Sequence, residues 1–222
     1  MAELFIELFS EEIPGKLQTD FRENGKRILE EKLIKKAINF KSCKTFSTPT
    51  RLVFFAEGIP EKVEQKGKVI KGPKVETSEL ALAGFIKSNN LQKTDVYKKE
   101  IDKGEFYFAE TPAKNIDVLT ELKSIIPDTL KSYSWKKSMK WSTYDLNWGR
   151  PLKSITALFN NQIVEFKFFH LKSSNLISLD KADDLKFKKI DNFKSYLDIL
   201  KSQNIILDQE KRKSIIIKKM SN

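Results

Sequence analysis

The sequence predicts a folded protein that mixes strands and helices, in the α+β or α/β class. The first quarter of the chain shows a strand pattern, a long helix pattern and a second strand pattern, in that order. In addition, 40% of the 222 residues are apolar and 11% are aromatic, which is enough for a core and excludes disorder throughout. This length suits one large domain or two small ones.

The first three elements follow from the spacing of apolar residues. Residues 3–10 predict a strand that is buried on both faces, because apolar side chains point both ways along it. A long amphipathic helix is predicted from Pro14, whose missing N–H costs nothing in a first turn, to about Asn39. A second strand is predicted over residues 52–56.

The middle of the chain predicts an exposed connection, a short helix and a hairpin. Residues 59–75 are rich in lysine and contain turn-forming glycines, which is typical of an exposed connection. Apolar residues over 80–86 predict a short helix that ends at two asparagines. Residues 96–101 and 105–110 predict the two strands of a hairpin, with Gly104 in the turn.

A further helix and a second hairpin are predicted next. Residues 118–130 carry apolar side chains at helical spacing. Residues 155–159 predict a strand, which the pair Asn160-Asn161 turns into the apolar pattern of residues 164–168. Asparagine suits such a turn because it tolerates a positive φ.

The C-terminal part of the chain is different in character. Two short helices are predicted there, one over 193–200 and one capped by Asp208, and by themselves they would bury little surface. We therefore expect them to begin a further domain that is truncated in this chain. The predicted organisation is an N-terminal domain over residues 1–172 with a possible division near 60–75, a polar linker over 173–190, and the helical start of a following domain over 191–222.

The chain is strongly basic, with a formal net charge of +11 and a pI near 9.5. Such a balance favours an acidic partner, and nucleic acid is the commonest one. The excess is concentrated over residues 130–175, where eight basic residues accompany two acidic ones. A second lysine run, over 62–74, is explained well enough as a solvated surface.

One segment combines lysines with tryptophans. It reads Lys136-Lys137-Ser138-Met139-Lys140-Trp141, with Arg150 following nine residues later. Lysines supply mobile charges, arginine supplies a planar fork of donors, and indole rings can stack on bases. The segment therefore predicts a surface that binds a polyanion. The alternative for its tryptophans is a place in the core, which would suit Met139 and Trp141 beside a strand.

The sequence contains no motif of a free-standing enzyme. It has no phosphate-binding glycine loop, no zinc-protease motif and no serine-hydrolase elbow. The single Cys43 and the single His170 cannot form a four-ligand zinc site, and a catalytic pair of the two has no local signature. Adjacent carboxylates, as at Glu11 and Glu12, do not face a common point on a helix.

A cytoplasmic location away from membranes is expected. A single cysteine excludes an internal disulfide and suits a reducing compartment. The N-terminal residues include acids where a signal peptide has bases, and no apolar stretch approaches the ~20 residues that cross a bilayer.

Seven short strings carry a resemblance to a known family. They are Glu11-Glu12-Ile13-Pro14, Thr48-Pro49-Thr50-Arg51-Leu52, Lys71-Gly72-Pro73, Ala83-Gly84-Phe85, Lys103-Gly104-Glu105-Phe106, Lys137-Ser138-Met139-Lys140-Trp141 and Arg150-Pro151. In this order, over residues 3–172, they resemble strings of the beta subunit of bacterial tetrameric glycyl-tRNA synthetase. The resemblance covers most of this chain but only the N-terminal portion of the usual beta subunit.

Three departures from the family concern its basic residues. Thr50 stands where the family has the first arginine of Thr-Pro-Arg-Arg, and Lys140 stands where it has an arginine. Lysine keeps the charge but lacks the bidentate fork, so a specific phosphate contact is weakened there. A Gly-His-Arg-Phe string that the family has after Ser174 has no counterpart. The sequence leaves open whether the chain is a truncated gene, a fragment or a divergent copy.

The resemblance implies a role in joining glycine to tRNA. In the family, the alpha subunit activates glycine with ATP and magnesium, whereas the beta subunit holds tRNA and is required for charging. The implied partners are an alpha subunit, in an alpha2beta2 assembly, and glycine tRNA, with no cofactor bound by this chain. The implied fold is α+β, with mixed or antiparallel sheets and flanking helices, resembling the body and tail domains of archaeal CCA-adding enzymes.

The candidate RNA contacts are basic residues for phosphates and tryptophans for unpaired bases. They are Lys136, Lys137, Lys140, Arg150 and Arg51 for phosphates, and Trp141 and Trp148 for bases. No catalytic or metal-ligating residue is predicted. Two other functions stay open, namely a stand-alone RNA-binding module with little preference for one tRNA, and a module that docks the catalytic subunit while its lysines only keep it in solution.

Overall fold

The computed structural model describes residues 2–65, 69–101, 104–110, 114–179 and 187–221. They form two compact units. Unit 1 comprises Met1–Glu61 and Asp117–Asn222, and unit 2 comprises Lys62–Ile116. Unit 2 is therefore an insertion into the chain of unit 1. Unit 2 begins at Lys62, inside the range 60–75 where a division was predicted. The prediction did not include the return of the chain to unit 1 at Asp117.

The helices and strands follow one another along the chain in a mixed order. They are β1 (Ala2–Ser10), α1 (Gly15–Asp20), a π-helical segment (Phe21–Gly25), α2 (Lys26–Lys35), β2 (Ser42–Thr48), β3 (Arg51–Ile59), β4 (Lys62–Gln65), β5 (Val69–Lys74), α3 (Glu79–Ser88), a 3₁₀ turn (Lys93–Asp95), β6 (Val96–Ile101), β7 (Gly104–Glu110), β8 (Lys114–Asp117), α4 (Val118–Ser132), β9 (Leu152–Phe159), β10 (Gln162–Ile163), β11 (Lys167–Phe168), β12 (Leu171–Ser174), β13 (Leu176–Ser178), β14 (Phe187–Lys189), α5 (Phe193–Ser202) and α6 (Gln209–Met220).

A seven-stranded sheet forms the centre of unit 1. Its strand order is β11-β12-β9-β1-β3-β2, and β10 pairs with β9. The pairs are antiparallel except for β12 with β9, which run parallel. The central strand β1 is buried on both faces, as predicted. The α+β class with a mixed sheet and flanking helices is confirmed.

The two faces of β1 contact different helices. Ile6 lies opposite Phe54 of β3, and the Phe54 ring packs against Phe21 of the π-helical segment, with 5.2 Å between ring centroids. Phe5 faces the other way and packs against Tyr196 of α5, at 4.7 Å between centroids. Unit 1 therefore buries apolar side chains on both sides of its sheet.

The long helix predicted from Pro14 is confirmed, but it is not uniform. It runs through α1, the π-helical segment and α2, and it ends at Lys35, a little before the expected residue. A Cβ at Gly25 would lie 3.3 Å from the Phe54 ring, so this glycine lets the helix approach the sheet closely. Nothing in the apolar spacing indicated the π-helical segment.

Several local predictions are confirmed. The hairpin of β6 and β7, the helix α4 and the strand β9 lie where the patterns placed them. Asn160 and Asn161 have φ values of 47° and 64°, as the predicted turn requires. The Asp208 side chain accepts hydrogen bonds from the backbone N–H groups of Glu210 and Lys211, so it caps α6 as predicted.

One strand before unit 2 was not predicted, and one prediction at the start of unit 2 is wrong. Residues 42–48 were not predicted as a strand, yet they form β2 at the edge of the large sheet, where polar side chains remain partly exposed. Residues 59–75, predicted as an exposed connection, contain the end of β3 and two further strands, β4 and β5. Of the lysines that suggested a loop, Lys62, Lys71 and Lys74 occupy solvent-facing strand positions, and residues 66–68 lie outside the described part of the chain.

The C-terminal helices differ from the predicted organisation. Tyr196 and Leu200 of α5 are buried in the core of unit 1, together with Phe5 and Val53 of the sheet. Residues 191–222 therefore belong to unit 1 and do not begin a separate domain in this structure. The predicted linker, 173–190, includes β13 and β14, and its residues 180–186 lie outside the described part of the chain.

Unit 2 is built on a three-stranded antiparallel sheet of order β5-β7-β6. The helix α3 packs against β5, and a Cβ at Gly72 would lie 2.9 Å from the Phe85 ring. Strands β4 and β8 pair separately. Across both units, none of the described helices is long and apolar enough to cross a membrane.

Candidate nucleic-acid interface

The segment between α4 and β9, residues 133–151, folds back on itself and is called the tryptophan loop below. Its two arms are joined at Met139 and Trp148. The Met139 N–H donates to the Trp148 carbonyl at 2.8 Å, and the Trp148 N–H donates to the Met139 carbonyl at 3.2 Å. This bridge brings the lysine-bearing arm beside the arm that ends at Arg150.

Two of the three tryptophans anchor the loop from beneath. Trp148 is only 1% exposed and packs against Trp135 and Phe168, with centroid separations of 5.0 and 5.7 Å. Trp135 stacks in turn on Phe21 at 5.7 Å. The prediction that Trp148 stacks on an unpaired base is therefore wrong, because other aromatic rings of the core enclose it.

A glycine lets the second arm pass close over Trp135. A Cβ at Gly149 would lie 2.5 Å from two atoms of the Trp135 ring, a separation that real Cβ atoms do not reach. Arg150 follows and is partly exposed. Its Nη1 donates to the Gly149 carbonyl at 2.8 Å, which uses one of the five N–H donors of the guanidinium.

Lys136 is exposed but already has an anionic partner. Its Nζ lies 2.5 Å from Oδ1 of Asp20, and the Tyr133 hydroxyl donates to Oδ2 of the same carboxylate at 2.6 Å. The hydrogen bond from Lys136, followed by that from Tyr133, lowers the pKa of Asp20 below its ordinary value. A phosphate would have to compete with Asp20 for this lysine.

Lys137 and Lys140 are more accessible. Lys140 Nζ lies 3.1 Å from Oδ1 of Asp145, but both side chains are more than half exposed, so this ion pair contributes little. Lys137 is exposed and forms no ion pair with any residue in the described part of the chain. A polyanion can therefore reach these two lysines with little loss of existing contacts.

A stack of partly exposed rings lies beside the lysines. Tyr144 stacks on His170, with ring centroids 3.6 Å apart and planes inclined by 9°. Trp141 meets the same imidazole edge-on at 6.0 Å and is itself partly exposed. Burial lowers the pKa of His170, so the imidazole is neutral at neutral pH. Trp141 therefore packs on one side against His170 and remains partly accessible.

Arg51 lies apart from the loop in the interior of unit 1. It is 4% exposed, its Nε lies 3.2 Å from Oε2 of Glu7, and its Nη2 donates to the Ser178 carbonyl at 2.5 Å. The guanidinium also lies 4.8 Å from the centroid of the Phe9 ring. The predicted contact of Arg51 with a phosphate is corrected on this ground, since the side chain does not reach solvent.

The ion pair of Glu7 and Arg51 serves the core. Oε2 of Glu7 also accepts a hydrogen bond of 2.5 Å from the Tyr196 hydroxyl, so the carboxylate joins β1, β3 and α5. Burial raises the pKa of Glu7 and that of Tyr196. Charged groups buried this completely are held by one another, and removing one partner leaves the other uncompensated.

The described residues hold no metal-type cluster and a single cysteine, Cys43. None of their His, Cys, Asp and Glu side chains gather in groups of three or more that could hold a metal ion. Burial raises the pKa of the Cys43 thiol to about 12, so it is not a nucleophile at neutral pH. The accessible chemistry of unit 1 is that of a basic, aromatic surface.

Comparison with known proteins decides the family. The sequence profile described as "Glycyl-tRNA synthetase beta subunit" matches residues 4–222. The chain belongs to this family. The resemblance drawn from the seven strings is thereby confirmed, and the match extends past them through the C-terminal helices.

Glycine–tRNA ligase beta subunits from Rickettsia are among the similar proteins. Those of Rickettsia canadensis, Rickettsia typhi and Rickettsia akari are 34%, 35% and 33% identical to this chain over 216 residues. Each match covers 97% of this chain and 32% of the relative. The chain thus spans about a third of the length of the curated relatives that it matches.

Sequence reasoning missed the stacked rings of Tyr144 and His170. The two residues are far apart in the sequence, and His170 lies in the turn between β11 and β12. The local sequence shows only that His170 follows two phenylalanines, and this does not indicate that the imidazole stacks on Tyr144.

Proposed function

We propose that this chain is the N-terminal portion of a glycine–tRNA ligase beta subunit and helps to bind glycine tRNA. In this function, glycine is activated by ATP, with magnesium, on a separate alpha subunit within an alpha2beta2 assembly. The activated glycine is then attached to the tRNA. The observation that carries the proposal is the exposed basic and aromatic surface of the tryptophan loop, in a chain of the beta-subunit family.

The loop suits the chemistry of a folded RNA. Lys137, Lys140 and Arg150 supply charge for phosphates, and neutralised phosphates release counterions, which favours binding at low salt. The partly exposed Trp141, with the ring of Tyr144 nearby, offers a face on which an unpaired base can stack. Lys136 contributes less, because Asp20 holds it.

The experiment is a titration of the chain with glycine tRNA and with an unrelated tRNA over a range of salt concentrations. We expect tighter binding of glycine tRNA and an affinity that falls steeply with salt. The double variant Lys137→Gln, Lys140→Gln should weaken binding and reduce the slope of log affinity against log salt by roughly 1.4–1.8, since each phosphate contact contributes about 0.7–0.9.

Lys35→Gln is a matched control. Lys35 is exposed, and its neighbour Lys36 pairs at 2.9 Å with Glu121 in the first turn of α4, whereas the tryptophan loop follows the last turn of that helix. This variant should leave tRNA binding unchanged.

Three results would contradict the proposal. Equal affinity for both tRNAs would indicate a stand-alone electrostatic RNA-binding module. Binding of neither tRNA, together with formation of a complex with the alpha subunit, would indicate a docking module. Unchanged binding in the double variant would place the tRNA contact outside the tryptophan loop.

A further inference from the structure

We propose that unit 2 carries a second nucleic-acid site, in which one exposed face of its sheet binds a single strand by stacking bases on Phe106, Phe108 and Tyr97. The site goes beyond the function proposed above, because it lies in the other unit and uses none of the residues of the tryptophan loop.

The strand register assembles this face. Residues paired across antiparallel strands project from the same side of a sheet. Phe108 of β7 is paired with Tyr97 of β6 and with Lys71 of β5, and this forms one row. Phe106 is paired with Lys99 and Lys74, and this forms the adjacent row. Aromatic and lysine side chains therefore alternate over one face, which we call the lysine–aromatic face.

The rings of the lysine–aromatic face are accessible, whereas the opposite face is covered at Ala109. Tyr97 is 44% exposed, and Phe106 and Phe108 are partly exposed. Ala109 projects from the opposite face, together with its partners Ile70 and Val96, and it is completely buried. One exposed and two partly exposed aromatic rings thus share one side of a small sheet, and accessible apolar faces of this kind commonly mark interaction sites.

The rings already bind cations through their faces. Lys71 Nζ lies 3.6 Å from the centroid of Phe106, and Lys99 Nζ lies 6.0 Å from that of Phe108. Tyr97 and Phe108 are stacked, with centroids 6.2 Å apart and planes inclined by 24°. Contacts of exposed lysines with rings are weak, and the stacking of a base on an aromatic ring is stronger. A base can therefore displace a lysine, which then becomes free to bind the phosphate.

Spacing and charge favour a single strand over a duplex. Phe106 and Phe108 are two residues apart on β7, and their Cα atoms are therefore about 6.8 Å apart. Duplex bases are stacked on one another at about 3.4 Å and offer no free faces, whereas the bases of an extended single strand do. Three lysines accompany the rings on this face, with one acid, Glu110, at its end, while Glu100 and Glu105 project from the opposite face.

The test uses a fluorescein-labelled oligouridine of ten nucleotides and the full chain with Lys137→Gln and Lys140→Gln, so that the tryptophan loop contributes little. In this background, adding Phe106→Leu with Phe108→Leu keeps apolar side chains but removes the stacking faces. We expect the affinity measured by fluorescence anisotropy to fall at least roughly tenfold. Tyr107→Leu is the matched control, because Tyr107 lies between the two phenylalanines and projects from the opposite face.

A second measurement does not depend on the leucine variants being folded. Photocrosslinking of the same chain to an oligomer that contains 4-thiouridine should label peptides of β6 and β7, and Lys71→Gln with Lys99→Gln should lower both the label and the salt dependence of binding. The affinity for oligothymidine of the same length distinguishes two kinds of site. Weaker binding than that of oligouridine indicates a site for RNA, equal binding indicates a site for any single strand, and both results support the inference.

Unchanged oligouridine affinity in the leucine pair, or crosslinks confined to residues 133–151, would overturn the inference. These results are independent of the tRNA titration. The function proposed for the tryptophan loop fails if Lys137→Gln with Lys140→Gln leaves tRNA binding unchanged, whatever the lysine–aromatic face does.

Discussion

In the tryptophan loop of unit 1, the large rings of Trp135 and Trp148 lie beneath the backbone, and lysines surround them at the surface. In the sheet of unit 2, the rings of Phe106 and Phe108 lie at the surface, and lysines extend over them. Both regions combine lysine with aromatic residues. Lysines are exposed in both, and the regions differ in whether the aromatic rings lie beneath the surface or at it.

The difference comes from what covers the rings. The loop packs over the core of unit 1, so Trp148 gains stability from full burial and the exposed lysines are left to bind anions. A three-stranded sheet with one helix has only one face covered, so aromatic residues on the other face remain accessible. The same composition therefore gives an electrostatic surface in one unit and a stacking surface in the other.

The largest expected effect concerns the buried ring. Trp148→Ala should lower the free energy of unfolding of unit 1 by about 3–5 kcal/mol, because it removes a core ring and leaves a cavity. Phe108→Ala, on the open sheet, should cost about 1 kcal/mol or less. Urea unfolding measures both effects, with tryptophan fluorescence for unit 1, which contains all the tryptophans, and circular dichroism for the whole chain. Similar losses in the two variants would contradict the comparison.

Glycine substitutions sharpen the same contrast at a smaller scale. Gly149→Ala should destabilise the loop by about 1–3 kcal/mol, because the added Cβ overlaps the rigid Trp135 ring. Gly84→Ala in α3 meets no atom within 4 Å and should stabilise unit 2 by up to about 1 kcal/mol, since alanine favours a helix interior. Thermal and urea unfolding test both, and a tolerated Gly149→Ala would show that the loop is not held against Trp135.

The smallest effect concerns pH. Because the pKa of Asp20 is lowered in the folded state, its contact with Lys136 stabilises the protein above the unfolded pKa of 3.8, and this contribution is lost as the pH falls through the lower folded value. Asp20→Asn should therefore destabilise the protein at pH 7, but only slightly, because Lys136 is exposed and solvent screens the contact.

The difference from the parent protein should shrink below pH 3.8, as urea unfolding at pH 7, 5 and 3 would show. A difference that grows on acidification would mean that the carboxylate does not hold the loop. Lys71→Gln is the control in unit 2, because the ring contacted by Lys71 does not titrate and the variant should show no such dependence.

Elements decided by local chemistry could be predicted from the sequence. The continuous apolar run of β1, the paired asparagines after β9 and the Asp208 cap each act within a few residues, and each is found where it was expected. The candidate lysines Lys137 and Lys140 also lie at the surface, as isolated charges usually do.

Other features depend on contacts between residues far apart in the chain. The edge strand β2 has too few apolar residues to be recognised without its partner β3. Tyr144 stacks on His170, which lies far from it in the sequence. Helix α5 was expected outside the core of unit 1, yet its Tyr196 and Leu200 are part of that core. The type and spacing of neighbouring residues in the sequence do not show which distant residues these elements contact.

By itself, the sequence determined the family, the α+β class, the local elements and the basic character of the chain. Only the tertiary structure decided which cations and rings are accessible. Arg51 and Lys137 are both cations, but β1 and α5 surround the first with Glu7 and Tyr196, while nothing in the described part of the chain covers the second. The physical reason is that burial, and with it the availability of a charge or a ring, depends on neighbours brought from distant parts of the chain.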